Sequence, residues 1–197
     1  CYDEGRTRET QEQNRGYYMN IVLIGYRGTG KTAVGEKLAE KLNRRLVKTD
    51  ELIIEKTGMS IPEIVENQGW KAFRDMESEV AEEVGKMDNC IIDTGGGIIL
   101  RKINVENLKR KGMLILLKAD VKTIINRIKD NKERPSLTGS KSFTEEVDEV
   151  LKDRSKKYEE AADHVIDTSR LTVDEVADRI INYLKQREFL NQESSLL

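Results

Sequence analysis

Gly25-Tyr26-Arg27-Gly28-Thr29-Gly30-Lys31-Thr32 has the spacing of a phosphate-binding loop, Gly-x-x-x-x-Gly-Lys-Thr. A short apolar run, Ile21 to Ile24, leads into it, and a helical apolar pattern, Val34, Leu38 and Leu42, follows. That is the strand–loop–helix setting the motif needs, and a chance glycine-rich turn would not require it. Glycines let backbone N–H groups turn inward around a polyphosphate with no Cβ in the way. The helix that follows points its positive end at the same anion. Lys31 can reach the β- and γ-phosphates, and the Thr32 hydroxyl can ligate Mg²⁺. The expected ligand is a nucleoside triphosphate, held by Gly28, Thr29, Gly30, Lys31, Thr32 and Ala33.

Such a loop serves motors, GTPases and kinases alike, so other residues must name the chemistry. Ile91-Ile92-Asp93-Thr94-Gly95-Gly96-Gly97 places an acid after an apolar run and then three glycines. An acid at a strand end resembles a Walker B element, which makes Asp93 a candidate for the metal site; a surface Asp in a tight turn is the plain alternative. The glycines would expose backbone at the carboxyl edge of a sheet, where ligands bind in such folds. Asp50 follows another apolar run and could orient an attacking hydroxyl or accept its proton. It could equally be a helix N-cap. Arg74 lies three residues before Glu77, which could brace its guanidinium or form a generic ion pair with it. Arg154 carries the same ambiguity. Arg134, beside Pro135, is either a solvated loop charge or an arginine finger supplied in cis.

Alternating patterns supply the elements that must position these groups. Apolar runs predict strands over 20–25, 46–49, 89–93, 113–118 and 164–167. Amphipathic stretches predict helices over 31–43, 51–57, 60–86, 104–111, 120–130, 144–161 and 172–188. Ser60-x-x-Glu63 and Thr172-x-x-Glu175 read as capping boxes. Gly69 interrupts a long helical stretch and should break or bend it. Gly112, after Lys109-Arg110-Lys111, reads as a helix stop. Alternation of strand and helix implies a parallel sheet covered on both faces, a three-layer α/β/α sandwich. The polar stretch 131–143 has the composition of a lid.

The 197 residues fit one domain, with 36% charged residues of mixed sign and a net charge of −2. Without a basic excess, nucleic acid is not the favoured partner. No apolar run is long enough to span a membrane, and residues 1–18 lack the apolar core of a secretory signal. The 2 cysteines cannot build a disulfide framework, so a reducing, cytoplasmic setting fits. Cys90 reads as a small core residue, and His164, the 1 histidine, as an ordinary residue entering a strand. Residues 1–18 and 190–197 are expected to be poorly ordered, with a folded unit over 19–189 that acts as a monomer.

Taken as an ordered set, these motifs resemble the shikimate kinase family. The set is the phosphate loop, Thr49-Asp50, Thr57-Gly58, Phe73-Arg74-x-x-Glu77, Gly95-Gly96-Gly97, Arg134-Pro135-x-Leu137 and Arg154-x-x-x-Tyr158. The resemblance implies a five-stranded parallel sheet of the P-loop kinase type. It implies transfer of a phosphoryl group from ATP, with Mg²⁺, to the 3-hydroxyl of shikimate, a step of aromatic amino-acid biosynthesis. By resemblance Asp50 engages that hydroxyl, while Arg74, Arg154 and the Gly95–Gly97 backbone hold shikimate. Arg134 belongs to the lid and Arg127 packs by the adenine. Arginine suits a carboxylate because its planar fork pairs with both oxygens.

Two departures stand out. The family's usual Asp-x-Asp has Lys48 at its first position here, and Ser136 replaces the leucine after Arg-Pro. Asp93 is expected to supply the carboxylate that Lys48 does not. The rival readings are another small-molecule kinase on the same scaffold, of gluconate or nucleoside monophosphate type, and a nucleotide-binding module with little turnover.

Overall fold

The computed structural model describes residues 19–128 and 143–194. Five parallel strands form one sheet: β1 (Asn20–Ile24), β2 (Arg45–Lys48), β3 (Cys90–Asp93), β4 (Gly112–Lys118) and β5 (His164–Asp167). Their order across the sheet is β2-β3-β1-β4-β5. Among the described residues seven helices connect and cover them: α1 (Lys31–Leu42), α2 (Thr49–Thr57), α3 (Ile61–Val84), α4 (Lys102–Lys109), α5 (Val121–Ile128), α6 (Phe143–Ala161) and α7 (Val173–Ser194). A 3₁₀ turn over Ile98–Leu100 follows β3. The expected three-layer α/β/α architecture with a five-stranded parallel sheet is what the chain forms.

Period-two alternation sorts the strand side chains between two cores. Ile21, Leu23, Ile91, Ile115 and Leu117 face one side, where Val34 and Leu38 of α1 and Val176, Ala177 and Ile180 of α7 cover them. Val22, Ile24, Ile92, Leu114 and Leu116 face the other, against Phe73 and Val80 of α3, Leu108 of α4, Ile124 of α5 and Tyr158 of α6. Burial on both faces explains why β1 and β4 read as continuous apolar runs rather than alternating ones. The chain passes from β1 to β2 and β3 on one side, then crosses to β4 on the other. That reversal opens a crevice at the carboxyl end of β1, where the phosphate loop lies.

Both capping boxes form. Ser60 N–H donates to Glu63 at 2.7 Å and Glu63 N–H donates back to Ser60 Oγ at 3.4 Å. Thr172 and Glu175 exchange the same pair at 2.8 and 3.2 Å. Gly69 takes φ 79° and ψ 167° inside α3 and kinks it, as its position suggested.

Several boundaries move. β2 ends at Lys48 because α2 already opens at Thr49, with Lys48 as its N-cap. Asp50 therefore lies in the first turn of the helix, and the N-cap alternative is corrected. Gly112 opens β4 instead of closing α4, which stops at Lys109. α7 runs on to Ser194, past residue 188, because no Pro or Gly follows Thr172 to stop it. Arg134 and residues 131–142 of the expected lid lie outside the described residues, as do 1–18 and 195–197; α6 takes up the chain at Phe143.

One fully buried polar residue ties the amino ends of the strands together. Asn20 donates from Nδ2 to the Met87 carbonyl at 2.6 Å and accepts from Cys90 N–H at 2.9 Å. Asn20→Ala would orphan both buried groups, so it should lower stability by about 2–4 kcal/mol. A urea titration checks this; a midpoint unchanged from the unmodified chain would contradict it.

Candidate active site

The loop after β1 is anchored on its outer side. A Cβ at Gly25 would overlap the Leu117 carbonyl of β4, and Gly28 (φ 79°) lies against Ile124 and Ile128 of α5. Thr29, 1% exposed, donates from Oγ1 to the Tyr26 carbonyl at 2.8 Å and so turns away from solvent. Lys31 is largely buried, and its Nζ donates to the Gly25 and Tyr26 carbonyls at 2.9 and 3.1 Å. The ammonium is thereby held inside the loop. Gly28, Gly30, Lys31, Thr32, Ala33 and Arg127 line one cleft of about 920 Å³, shared with Lys48, Asp50 and Asp93.

Thr32 Oγ1 donates to Asp93 Oδ2 at 2.7 Å. Burial pushes the Asp93 carboxyl above its ordinary range, while the nearby Lys31 and the Thr32 bond pull it back. A buried carboxylate beside a hydroxyl is a pair of hard oxygen donors in want of a cation, which suits Mg²⁺. No cluster of three or more His, Cys, Asp or Glu able to hold a metal exists among the described residues. Lys48 lies directly across the ladder from Asp93. Its Nζ is 3.1 Å from Glu51 and 3.3 Å from Glu36, so two carboxylates flank the ammonium.

A second, smaller cleft opens beside the first. Tyr26, Trp70, Phe73, Arg74, Glu77, Gly95–Gly97 and Arg154 line it. Arg27 and Asp50 line both clefts, which places them where the two meet. Arg74 pairs through Nη1 with Glu77 Oε2 and lies 5.1 Å from the Trp70 ring centre and 5.2 Å from that of Phe73. Burial raises the Glu77 carboxyl above its usual range, with Arg74 opposing that shift. Among the described residues Glu77 Oε1 has no hydrogen-bond partner. From α6, the Tyr158 hydroxyl and Arg154 Nη1 both donate to the Gly96 carbonyl, Arg154 at 3.4 Å.

Crowding explains two of the three glycines, Gly95 and Gly97. A Cβ on Gly95 would come within 2.5 Å of Asp50 Oδ1 and 3.1 Å of Glu77 Oε1, and one on Gly97 would overlap the Arg74 guanidinium. Backbone can pass this close to three charged side chains only without side chains of its own.

The model of the shikimate kinase family matches residues 27–185. This chain belongs to the shikimate kinase family. A shikimate kinase of Caldicellulosiruptor bescii is 44% identical over 118 residues, 60% of this chain and 69% of the relative. One of Syntrophus aciditrophicus is 39% identical over 160 residues, 76% of this chain and 80% of the relative. A solved shikimate kinase from Acinetobacter baumannii, in complex with shikimate, superposes with a TM-score of 0.83 at 32% identity, covering 89% of this chain and 97% of that one. The family consists of phosphotransferases that use ATP and Mg²⁺, and the chain is one of them. No helix among the described residues is long and apolar enough to cross a membrane.

Every described residue to which the sequence gave a binding, catalytic or metal role lines one of the two clefts except Thr29, whose polar groups face the framework. Sequence reasoning gave no role to Tyr26, Arg27, Trp70 or Tyr158. Trp70 was findable, since it precedes Arg74 by one helical turn. Tyr26 was not, because motif spacing does not say which variable loop position turns toward the second cleft. Gly97→Ala should push the Arg74 guanidinium away from Glu77 and lower stability, because the buried carboxylate loses its partner. Initial rates should show the KM for shikimate rising at least about tenfold, with the KM for ATP within about twofold. Equal rises in both would show that Gly97 does not act through Arg74.

Proposed function

We propose that this chain transfers the γ-phosphoryl group of ATP to the 3-hydroxyl of shikimate, with the first cleft holding ATP and the second shikimate. The observation that carries this reading is Asp50, which lines both clefts at their junction. A carboxylate there meets the attacking hydroxyl on one side and the transferred phosphoryl group on the other. Asp50 orients the hydroxyl and accepts its proton. Lys31 neutralises charge on the phosphoryl oxygens. Arg74, held by Glu77, and Arg154, held against Gly96, grip the acceptor carboxylate; the Gly95–Gly97 backbone forms the cleft floor. Arg127 flanks the nucleotide toward its base. Arg134, outside the described residues, takes the lid role on resemblance alone. Thr32 and Asp93 hold Mg²⁺, which when bound offsets phosphate charge.

An ADP-release assay with ATP, run with and without shikimate, tests the reading. Shikimate-dependent release is expected; release independent of shikimate, or stimulated only by gluconate or a nucleoside monophosphate, would overturn it. Lys31→Ala should remove more than about nine-tenths of turnover at saturating substrates, since charge and positioning of this kind are worth far more than tenfold.

Asp93 and Lys48 face each other across the ladder, so their effects on Mg²⁺ should couple. Asp93→Ser should raise the Mg²⁺ concentration for half-maximal rate, and Lys48→Asp should partly restore it. A double-mutant cycle should read about 0.5–3 kcal/mol of coupling. Additivity would mean that the two positions do not serve one ion.

A further inference from the structure

We propose that Thr168, at the end of β5, is a positioning residue that holds the phosphate loop in its anion-binding conformation. A loop that aims its N–H groups inward must turn carbonyls outward, and each buried carbonyl then needs a donor. Thr168 is 2% exposed, and its hydroxyl lies 3.0 Å from the Thr29 carbonyl, 139 positions away in the chain. The Lys118 carbonyl is also near, at 3.2 Å, but it already accepts the Thr168 N–H at 2.8 Å. The Thr29 carbonyl is the nearer of the two acceptors for the one hydroxyl proton, and the one with no Thr168 N–H already on it.

The same residue fixes Arg127. Arg127 Nη1 donates to the Thr168 hydroxyl at 3.1 Å and Nη2 to the Thr168 carbonyl at 2.8 Å. So held, Nη1 also lies 3.3 Å from the Gly28 carbonyl. One threonine thus serves two successive loop carbonyls, the first through Arg127 and the second directly. Nothing in the loop motif specifies this partner, because it comes from the far edge of the sheet.

The inference rests on the nucleotide reading of the first cleft. Loop shape acts on bound ATP before and during transfer alike, so its loss should appear in KM rather than kcat. Thr168→Val keeps the branched shape and removes the hydroxyl. Its KM for ATP is expected to rise about five- to thirtyfold, with kcat and the KM for shikimate within about twofold. Thr168→Ser, which keeps the hydroxyl, should restore ATP affinity. Thr168→Ala serves in place of the valine variant should that one not fold, as judged by circular dichroism. An ATP KM within twofold of the unmodified chain would overturn the inference, as would equal rises for both substrates or a serine variant as impaired as the valine one. An unmodified chain that transfers nothing from ATP to shikimate would instead overturn the kinase reading itself.

Discussion

A polyphosphate cradle is a backbone under constraint: its N–H groups must stay available for the ligand, so everything else in the loop must be held by protein. The described fold meets this demand from several sides. Gly25 sits against β4, Gly28 packs on α5, and Thr29 is turned to the framework. Lys31 crosses the interior of the loop to two of its own carbonyls. The donors to the outward carbonyls come from Arg127 on α5 and Thr168 after β5. The central place of β1, between β3 and β4, is what brings these distant pieces within reach of one loop.

The second cleft is governed by the cost of burying charge. Glu77 is 1% exposed, and a lone carboxylate at that depth would be strongly penalised. Arg74 offsets the penalty, and two aromatic rings confine the guanidinium that remains available to a ligand carboxylate. Such a preorganised arginine loses little side-chain entropy when an anion arrives. The glycine turn after β3 must then pass very close to these charges, which explains Gly95 and Gly97. Tyr158 and Arg154 fasten that turn to α6, so the helix that follows the 129–142 segment also helps shape the acceptor cleft.

Lys48 stands where the family pattern has an acid, and its surroundings are acidic. A cation beside a metal site is unfavourable by Coulomb's law. Here Glu36 and Glu51 flank the ammonium, while the carboxylate at the opposite register position, Asp93, is bonded to Thr32.

The sequence by itself determined the strand–loop–helix motif, the alternating elements, both capping boxes and the kink at Gly69. These depend on neighbours a few residues apart, where propensity, period and capping chemistry act directly. It also marked Asp50, Arg74, Asp93, Gly95–Gly97 and Arg154 as candidates, because charged residues and glycines near predicted strand ends are visible as letters. Local patterns left Asp50 open between a cap and a site residue; the observed start of α2 at Thr49 removed the cap. The position of Asp50 where the clefts meet, the Tyr26 wall, the Lys48–Asp93 register and the Thr168–Thr29 bond were likewise decided by tertiary structure alone. Each joins chain segments that meet only once the strands are ordered β2-β3-β1-β4-β5, and no local spacing encodes that order.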